Sequence, residues 1–360
     1  MGMCDPALGV NDKECALVQA LALPAALPES PGNEYADDTG AAMLGFSLFF
    51  RTDFGTGIGC VSCHEPEASF ADARQVAQGK GKGTRNTLTV FNAARISRAF
   101  FWDGRADSMW SQPLFAVEDP KEMGSSRLAL AHRLANDAAL CASYASVFGA
   151  LPDISALPAE GKPGDPAWDT LSAVDQDKVN RIAANFGKAL EAYQRKNTSG
   201  DTPLDSYLRG DKTAISDLAK KGVVAFVREG CVSCHAGAAM TDEKYHEVGF
   251  PDLPGMTGDE GRKSGAAILA ANPFNLAGPY ADSPQKVDTS DHTAFAFRTP
   301  PLRDVAKTQP YGHNGALGTL TDVLAVHAAK TTDHDALIAF LLALTGGYPS
   351  PPWSNWPTPQ

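Results

Sequence analysis

Two identical pentapeptides carry the residues best suited to chemistry. Cys60-Val61-Ser62-Cys63-His64 and Cys231-Val232-Ser233-Cys234-His235 both read C-x-x-C-H, the pattern by which c-type haem is attached. Two thiols add across the porphyrin vinyl groups, and the next histidine becomes the proximal iron ligand. A redox dithiol would share the C-x-x-C and a zinc site would pool both pairs, but neither accounts for a histidine after each pair. The sequence therefore predicts two covalent c-type haems.

The same cysteines indicate where the protein works. Haem of this kind is attached where the chain is exported, so we predict a periplasmic location with an oxidising surround. There Cys4 and Cys15 can form a disulfide across a short N-terminal loop, whereas Cys141 is interpreted as an unpaired core thiol. Residues 1–6 lack the basic start and apolar core of a secretory signal, so we expect a mature form.

Composition fits a soluble globular protein with room for two domains. The chain has 360 residues, of which 43% are hydrophobic and 20% charged. Its net charge of −11 argues against nucleic acid and anionic membrane surfaces as partners. An acidic patch could still dock a basic redox protein. No run of eighteen apolar residues occurs, so no membrane insertion is expected.

The two motifs must be positioned by a repeated helical unit. Each follows a glycine and a predicted helix, which indicates an internal duplication. We predict a mainly α fold of two cytochrome c-like domains, residues 1–165 and 166–360, each holding one haem. The Pro- and Gly-containing stretch Leu151 to Asp169 marks either the boundary or a loop that extends from the surface.

Apolar spacing predicts two further helices, and composition predicts two long ordered loops. Met240 to Phe297 and Pro349 to Gln360 are rich in loop-forming residues and have weak periodicity. Two sets of apolar residues recur at helical spacing: Val179, Ile182, Ala183, Phe186, Leu190 and Tyr193, and then Leu337, Ile338, Leu341 and Leu342.

Further motifs resemble the bacterial dihaem cytochrome c peroxidase and MauG family, from about residue 45 to residue 344. The matching segments are Arg85-Asn86-Thr87, Phe91-Asn92-Ala93, Phe101-Trp102-Asp103-Gly104-Arg105-Ala106, Glu122-Met123-Gly124, Phe297-Arg298-Thr299-Pro300, Leu302-Arg303 and Pro310-Tyr311-Gly312-His313-Asn314-Gly315. The resemblance implies a peroxidatic haem in residues 1–165 and an electron-transfer haem in residues 166–360. It also implies a tryptophan and a calcium ion near the domain interface.

Peroxide chemistry needs a group that takes a proton from one oxygen of H2O2 and returns it to the other. The resemblance assigns this role to Glu122, with Gln112 ten residues earlier as its companion. Taken alone, Glu122 lies in the charged run 118–122 and would be interpreted as a solvated loop residue, and Gln112 as a surface amide.

The first haem is predicted to have an open iron site. Classical peroxidases of the family close this iron with a histidine at the position that is Gln78 here, and residues 71–86 contain no histidine. The resemblance therefore implies a five-coordinate or water-bound haem, as in the MauG-like branch. His132 lies in a helical pattern and is interpreted as a packed or surface residue.

The second haem is predicted to have two histidine ligands, His235 and His327. The family places methionine or tyrosine seventeen residues after the proline of Pro-Tyr, and this chain has His327 there. Leu320, Val323, Leu324 and His327 form one helical stripe. Histidine in place of methionine predicts a lower potential.

Other candidate ligands receive weaker interpretations. Met240 and Met256 are alternative ligands in loops, and His313 is interpreted as structural or as a residue behind the ligands. His246, His292 and His334 receive no role.

The resemblance also implies a relay and a calcium site. Trp102 corresponds to the tryptophan between the haems, although a packed aromatic is its ordinary interpretation. Asn86, Thr308 and Pro310 match the calcium ligands, the last two through main-chain oxygens.

Three functions remain open at this point. We favour a MauG-like enzyme in which peroxide reacts at the His64 haem, Trp102 shares the oxidising equivalents with the His235 and His327 haem, and a partner protein is oxidised. The alternative is a classical peroxidase supplied by a small cytochrome or cupredoxin. The third is a non-enzymatic electron carrier. Family peroxidases are often dimers, so a homodimer is a further expectation.

Overall fold

The computed structural model describes residues 4–327 and 333–357, and this part of the chain is mainly helical, as predicted. None of its helices is long and apolar enough to cross a membrane. Two short antiparallel strands, β1 (Tyr245–His246) and β2 (Phe297–Arg298), are the extended pair. The helices are α1 (Asp12–Gln19), α2 (Thr39–Phe49), α3 (Gln112–Glu118), α4 (Arg127–Asn136), α5 (Ala138–Phe148), α6 (Pro166–Asp169), α7 (Ala173–Gln194), α8 (Pro203–Leu208), α9 (Asp217–Arg228), α10 (Arg262–Ala271), α11 (Leu320–Val326) and α12 (His334–Leu342).

Helix α7 confirms the longest predicted helix and organises the first core. The Ser172 side chain accepts the backbone N–H of Asp175 and so caps the helix start. Helix α2 crosses α7 at Gly45, where a Cβ atom would overlap the carbonyl oxygen of Ala189. Only glycine allows this close approach to α7. Helix α2 is the helix that precedes the first Cys-His motif in the chain.

The second core repeats this arrangement. Helix α9 precedes the second motif and crosses α12 at Gly222, where a Cβ atom would overlap the carbonyl oxygen of Ala336. Helix α12 confirms the second predicted helix, and α1 packs on α9, with Glu14 bonded to Arg228. A helix before each motif that crosses a later helix at a glycine is what the predicted duplication requires.

The hydrophobic cores do not follow the division at residue 165. The first core contains α7, which lies beyond that position, and also residues 274–281. The second core contains the N-terminal residues Leu8, Val18 and Leu21. The boundary at 165 stays a prediction about domains, whereas each apolar core draws residues from both sides of that position.

Two loop predictions fare differently. Residues 240–297 contain α10, strand β1 and the first residue of β2, so the prediction of a loop throughout was wrong. The proline-rich tail is irregular as far as residue 357, and it packs Trp353 and Trp356 against the first core. Residues 358–360 lie outside the described residues. Cys4 and Cys15 form the disulfide that the sequence allows, and Cys141 is a free, half-buried thiol on α5.

Candidate functional site

The first Cys-His motif forms a tight turn that fixes the orientation of His64. Residues Cys60–Ser62 form one 3-10 turn, and the backbone N–H of His64 donates to the carbonyl of Cys60 at 3.0 Å. The ring Nδ1 lies 3.0 Å from the carbonyl oxygen of Phe70. Because a carbonyl can only accept, Nδ1 carries the proton and Nε2 keeps its lone pair. Burial lowers the pKa of His64, which favours the neutral, ligating form.

The second motif repeats this turn and the hydrogen bond at the histidine Nδ1. Residues Cys231–Ser233 form a 3-10 turn, and His235 Nδ1 lies 3.1 Å from the carbonyl oxygen of Met240. Burial is the main cause that lowers the pKa of His235 to about 4. Both histidines therefore present an unprotonated Nε2, which is the arrangement of a metal-ligating imidazole held by a second hydrogen bond.

His64 opens onto a cavity of about 1070 Å³, at the upper end of the size range of cofactor pockets. Its wall also contains Cys63, Gln112 and Glu122. Gln112 is the first residue of α3, and Glu122 lies in the turn that follows this helix. The structure thus brings the predicted pair to the cavity that His64 lines.

Glu122 is held by its backbone and shifted by its surroundings. Its carbonyl accepts the backbone N–H of Lys80 at 2.8 Å, and a Cβ atom on Gly79 would lie 2.6 Å from the same oxygen. Burial raises the pKa of the Glu122 carboxyl, and the positive charge of Arg105 partly opposes that rise. A carboxyl with a raised pKa is suited to accept a proton and to return it.

Gln78 does not enter the first cavity. Its side chain is exposed, and its amide lies 3.5 Å from the carbonyl oxygen of Gly79. Two histidines line the cavity in the described parts of the chain, His64 and His313. The His313 ring stacks on Phe297, with ring centroids 3.7 Å apart and planes 8° apart, which agrees with a packing role.

His235 and His327 face each other across a second cavity of about 570 Å³. Leu320, Val323 and Leu324 of the predicted stripe line the same cavity, so α11 carries it as expected. His327 follows α11 directly, and its Nδ1 lies 2.8 Å from the carbonyl oxygen of Val323. Its Nε2 is therefore the free ring nitrogen, as in His64 and His235.

The spacing of the two rings fits one iron between them. Their centroids lie 6.5 Å apart and their planes differ by 50°. Two imidazoles on opposite sides of one metal, with bonds of about 2 Å and roughly 1 Å from each nitrogen to its ring centre, would have centroids about 6 Å apart. His235 and His327 are thus too far apart for direct ring contact and close to the spacing of shared ligands.

The alternative methionine ligands are placed elsewhere. Met256 lines the first cavity, and the fully buried Met240 does not line the second. His132 bonds the carbonyl of Pro158, and His246 bonds Asp242 at 2.8 Å. His246 also lines the second cavity, which leaves its interpretation as an ordinary residue untested.

Trp102 lies in the wall that the two cavities share. Its indole N–H donates to the carbonyl of Asn86 at 3.0 Å, and its own carbonyl accepts the backbone N–H of Arg298 at 2.8 Å. Residue Trp102 is thus fixed by one segment from each half of the chain, through its indole on one side and its backbone carbonyl on the other.

The three predicted calcium ligands line one cavity. Asn86, Thr308 and Pro310 all line the second cavity, and each offers an oxygen of the kind that calcium prefers. Asn86 is tied to the neighbouring loop, since its amide donates to the carbonyl of Arg74 at 3.0 Å. This placement is compatible with the site, and the ion itself stays a prediction.

Sequence reasoning missed the function of Arg105 at the first cavity. Its guanidinium lies 3.5 Å from the ring centre of Phe101 and 3.2 Å from Asp103, and it lowers the pKa of Glu122. A signal existed, because Arg105 stands in the matching segment 101–106, but only the fold reveals its closeness to Glu122.

A helical protein with two Cys-His turns, each beside a cavity of cofactor size, has the architecture expected of a dihaem c-type cytochrome. Residues 39–213 match the family described as "Di-haem cytochrome c peroxidase". The cytochrome c551 peroxidase of Pseudomonas aeruginosa is 31% identical over 333 residues, which cover 88% of this chain and 83% of that protein. The chain belongs to the di-haem cytochrome c peroxidase family, so it is a peroxidase-type oxidoreductase that acts on H2O2 and its family implies two c-type haems.

Other relatives carry the name MauG, and solved structures share the fold. The methylamine utilization protein MauG of Methylophilus methylotrophus is 27% identical over 330 residues, covering 85% of this chain and 82% of that protein. The diheme peroxidase BthA of Burkholderia thailandensis superimposes with a TM-score of 0.67 at 21% identity, covering 91% of this chain and 94% of BthA. A MauG-like protein associated with microbial copper homeostasis has a TM-score of 0.65 at 22% identity, with 94% and 98% covered.

Proposed function

We propose that this chain is a MauG-like enzyme that uses H2O2 to oxidise a partner protein. The observation that carries the proposal is the position of Gln78, whose exposed side chain leaves the first cavity to Glu122 and Gln112. A first haem without a second histidine ligand needs no reductive opening before peroxide enters.

The chain's own residues supply orientation and proton transfer at the first site. His64, Cys60 and Cys63 would hold the haem, whose iron supplies the redox chemistry when bound. Glu122 accepts the proton of one peroxide oxygen and returns it to the departing oxygen. The Gln112 amide can donate to the same peroxide, and the positive charge of Arg105 limits the rise that burial causes in the pKa of Glu122.

At the second site Cys231, Cys234, His235 and His327 would hold a haem with two imidazole ligands. The ring spacing of 6.5 Å supports this assignment. Two imidazole ligands would give a bound haem a lower potential than a methionine ligand would, which would favour electron transfer toward the first site. Trp102, which borders both cavities, is the proposed electron relay.

Several further features belong to the proposal. Asn86, Thr308 and Pro310 would bind Ca²⁺ where the two halves meet, and the haem-attachment motifs favour a periplasmic location. A homodimer stays an expectation of the family resemblance. The partner is a protein with an oxidisable tyrosine or tryptophan at its surface.

The test is spectroscopic and uses the resting diferric holoprotein. EPR and optical spectra should show one high-spin and one low-spin haem, and stoichiometric H2O2 without reductant should produce a long-lived oxidised species. Two low-spin haems that ignore peroxide until half-reduced would instead identify a classical peroxidase.

That classical function is the second candidate, favoured by the 31% identity to a cytochrome c551 peroxidase. It would consume H2O2 with electrons from a small cytochrome or cupredoxin. The third function, a non-enzymatic carrier with two closed haems, conflicts with the exposed position of Gln78. Loss of peroxide reactivity in Glu122→Gln would support either enzyme over the carrier.

A further inference from the structure

The C-terminal segment 348–356 places oxidisable side chains directly behind His64. The carbonyl of Phe70 accepts the His64 Nδ1 hydrogen bond, and the Phe70 ring meets the Trp356 indole edge-on, with centroids 5.5 Å apart. Trp356 in turn meets Tyr348, with centroids 5.0 Å apart. Tyr348 is 38% exposed as a residue, so a continuous run of contacts joins the proximal histidine to a residue at the surface.

The run is fixed at each step. The Tyr348 hydroxyl donates to the carbonyl of Pro66 at 3.0 Å, and the Trp356 indole N–H donates to the carbonyl of Trp353 at 2.9 Å. Phe91 braces the other side, since it stacks on Phe70 at 6.0 Å and meets Tyr348 at 5.4 Å. Irregular chain is thus held against the haem domain by aromatic packing and hydrogen bonds.

The residue types suit electron transfer better than simple packing. Indole and phenol rings lose an electron far more readily than benzene rings. Trp356 can lose one as a radical cation without first moving a proton, and the exposed Tyr348 can release its phenol proton to water. A core that needed only apolar contacts could use phenylalanine at both positions.

We propose that Trp356 and Tyr348 form an electron relay from the protein surface to the His64 haem site, with Tyr348 as the surface residue that is oxidised. This inference rests on the peroxide chemistry proposed above and adds a second route, separate from Trp102. One H2O2 accepts two electrons and two protons and yields two waters. Without reductant, Trp356 gives one electron and becomes a radical cation, and Tyr348 gives one electron and one proton and becomes a neutral radical; the second proton comes from solvent. A reductant or an oxidisable side chain of a partner, docked at Tyr348, would refill them.

Tyr193 offers a comparison that clarifies the choice. Its ring packs 5.3 Å from Phe49, which lies 6.5 Å from the His64 ring, so it is also near the site. However, its hydroxyl is buried and has no hydrogen-bond partner in the described parts of the chain. Burial raises the pKa of Tyr193. The proton of an oxidised Tyr193 would have no acceptor, so this branch is closed.

The test treats the diferric holoprotein with stoichiometric H2O2 and follows three signals. These are the haem absorbance, the EPR spectrum of freeze-quenched samples with ring-deuterated tyrosine or tryptophan, and peptide mass spectrometry. We expect tyrosine and tryptophan radical signals, and oxygen addition or cross-linking at Tyr348 and Trp356. Trp356→Phe should lower oxidation at Tyr348 severalfold, and Tyr348→Phe should remove the tyrosine signal.

The control is Trp168→Phe. It removes another indole, which is buried in the first core and contacts Arg127. It should leave the radical signals and the oxidation at Tyr348 unchanged. Two outcomes would overturn the relay alone, each with normal haem absorbance changes. In the first, Tyr348 and Trp356 stay unmodified. In the second, the oxidation and radical signal at Tyr348 persist in Trp356→Phe. A wild-type protein with no absorbance change and no residue oxidation would overturn the peroxide chemistry as well.

Discussion

At the scale of single residues, the same hydrogen-bond arrangement recurs at His64, His235 and His327. Each Nδ1 donates to a backbone carbonyl close in sequence, at 3.0, 3.1 and 2.8 Å. The backbone therefore selects the tautomer, and Nε2 is left as the ligating atom. Histidines elsewhere lack the full set of features: His313 stacks on Phe297, and His246 uses Nε2 to bond Asp242.

Glu122→Gln tests proton transfer at the first site. The amide keeps the size of the side chain but cannot accept the peroxide proton, so the reaction with H2O2 should slow by about 10²–10⁴. Stopped-flow absorbance would measure it, with unchanged resting spectra. Glu67→Gln is the matched control and should react normally, because Glu67 is an exposed carboxylate that follows the first Cys-His motif.

The pH profile of the wild type provides an independent check. Burial raises the pKa of Glu122, and the ionised carboxylate is the form that accepts a proton. The rate of the peroxide reaction should therefore fall as the pH drops through this raised pKa, at a higher pH than an ordinary glutamate would give. A profile of Glu122→Gln that kept the same acid limb would assign the limb to another group.

His327→Met tests the second ligand. Methionine in place of imidazole stabilises ferrous haem, so the potential of the second haem should rise. A spectroscopic redox titration measures the change, and the EPR signal of a bis-imidazole haem should vanish. His292→Gln, at an exposed histidine outside both cavities, should leave both readings as in the wild type. An unchanged potential in His327→Met would remove His327 from the iron.

The family resemblance, and not residue types alone, predicted which side chains line the same cavity. Glu122 and Gln112 share one cavity, and His235 and His327 share the other, although sequence distance separates each pair. What the sequence could not reveal is contact made through the fold alone. Arg105 acts on Glu122, and Met256 turns to the first cavity rather than the second, because loops between the elements decide both.

At the scale of elements, helices were predicted best where a long apolar face had to be buried. Helix α7 has a continuous buried stripe and was predicted over its whole middle. Helix α10 was missed because Ile268 is exposed and the helix packs through small residues. At Gly265 a Cβ atom would overlap the carbonyl oxygen of Asp103, so backbone contact replaces the side-chain periodicity that a pattern search needs.

The loop 78–82 is an element whose backbone positions Glu122. A Cβ atom on Gly79 would lie 2.6 Å from the carbonyl oxygen and 2.7 Å from the Cα of Glu122. Gly79→Ala should push the two loops apart and slow the peroxide reaction, since a displacement of about 1 Å can cost about 10²-fold in rate. Haem content should stay normal. Gly81→Ala is the control, because its nearest neighbour would lie 3.4 Å away, and equal loss in both variants would refute the argument.

At the scale of the whole molecule, the net charge of −11 should govern the encounter with a redox partner. A basic small cytochrome is attracted over several ångströms, and salt screens that attraction over a Debye length of about 8 Å at 0.15 M. Its reaction rate should fall as ionic strength rises. The reaction with uncharged H2O2 should not change, which gives an internal control. A partner rate that is insensitive to salt would locate docking on an uncharged face.

Trp102 joins the two halves of the molecule, and its replacement tests whether they act as one unit. It borders both cavities, bonds Asn86 through its indole and accepts from Arg298 through its carbonyl. Trp102→Phe removes the oxidisable ring while keeping most of the packing. Peroxide should still react at the first haem, whereas the absorbance change of the second haem should be delayed.

Two-wavelength stopped-flow on the diferric protein would resolve these phases. Trp110→Phe is the matched control, since Trp110 is fully buried in the first core and lines neither cavity. If both haems still responded together in Trp102→Phe, electrons would pass between them without the indole. The shared wall would then be structural, and the surface route through Trp356 would remain the tryptophan relay to examine.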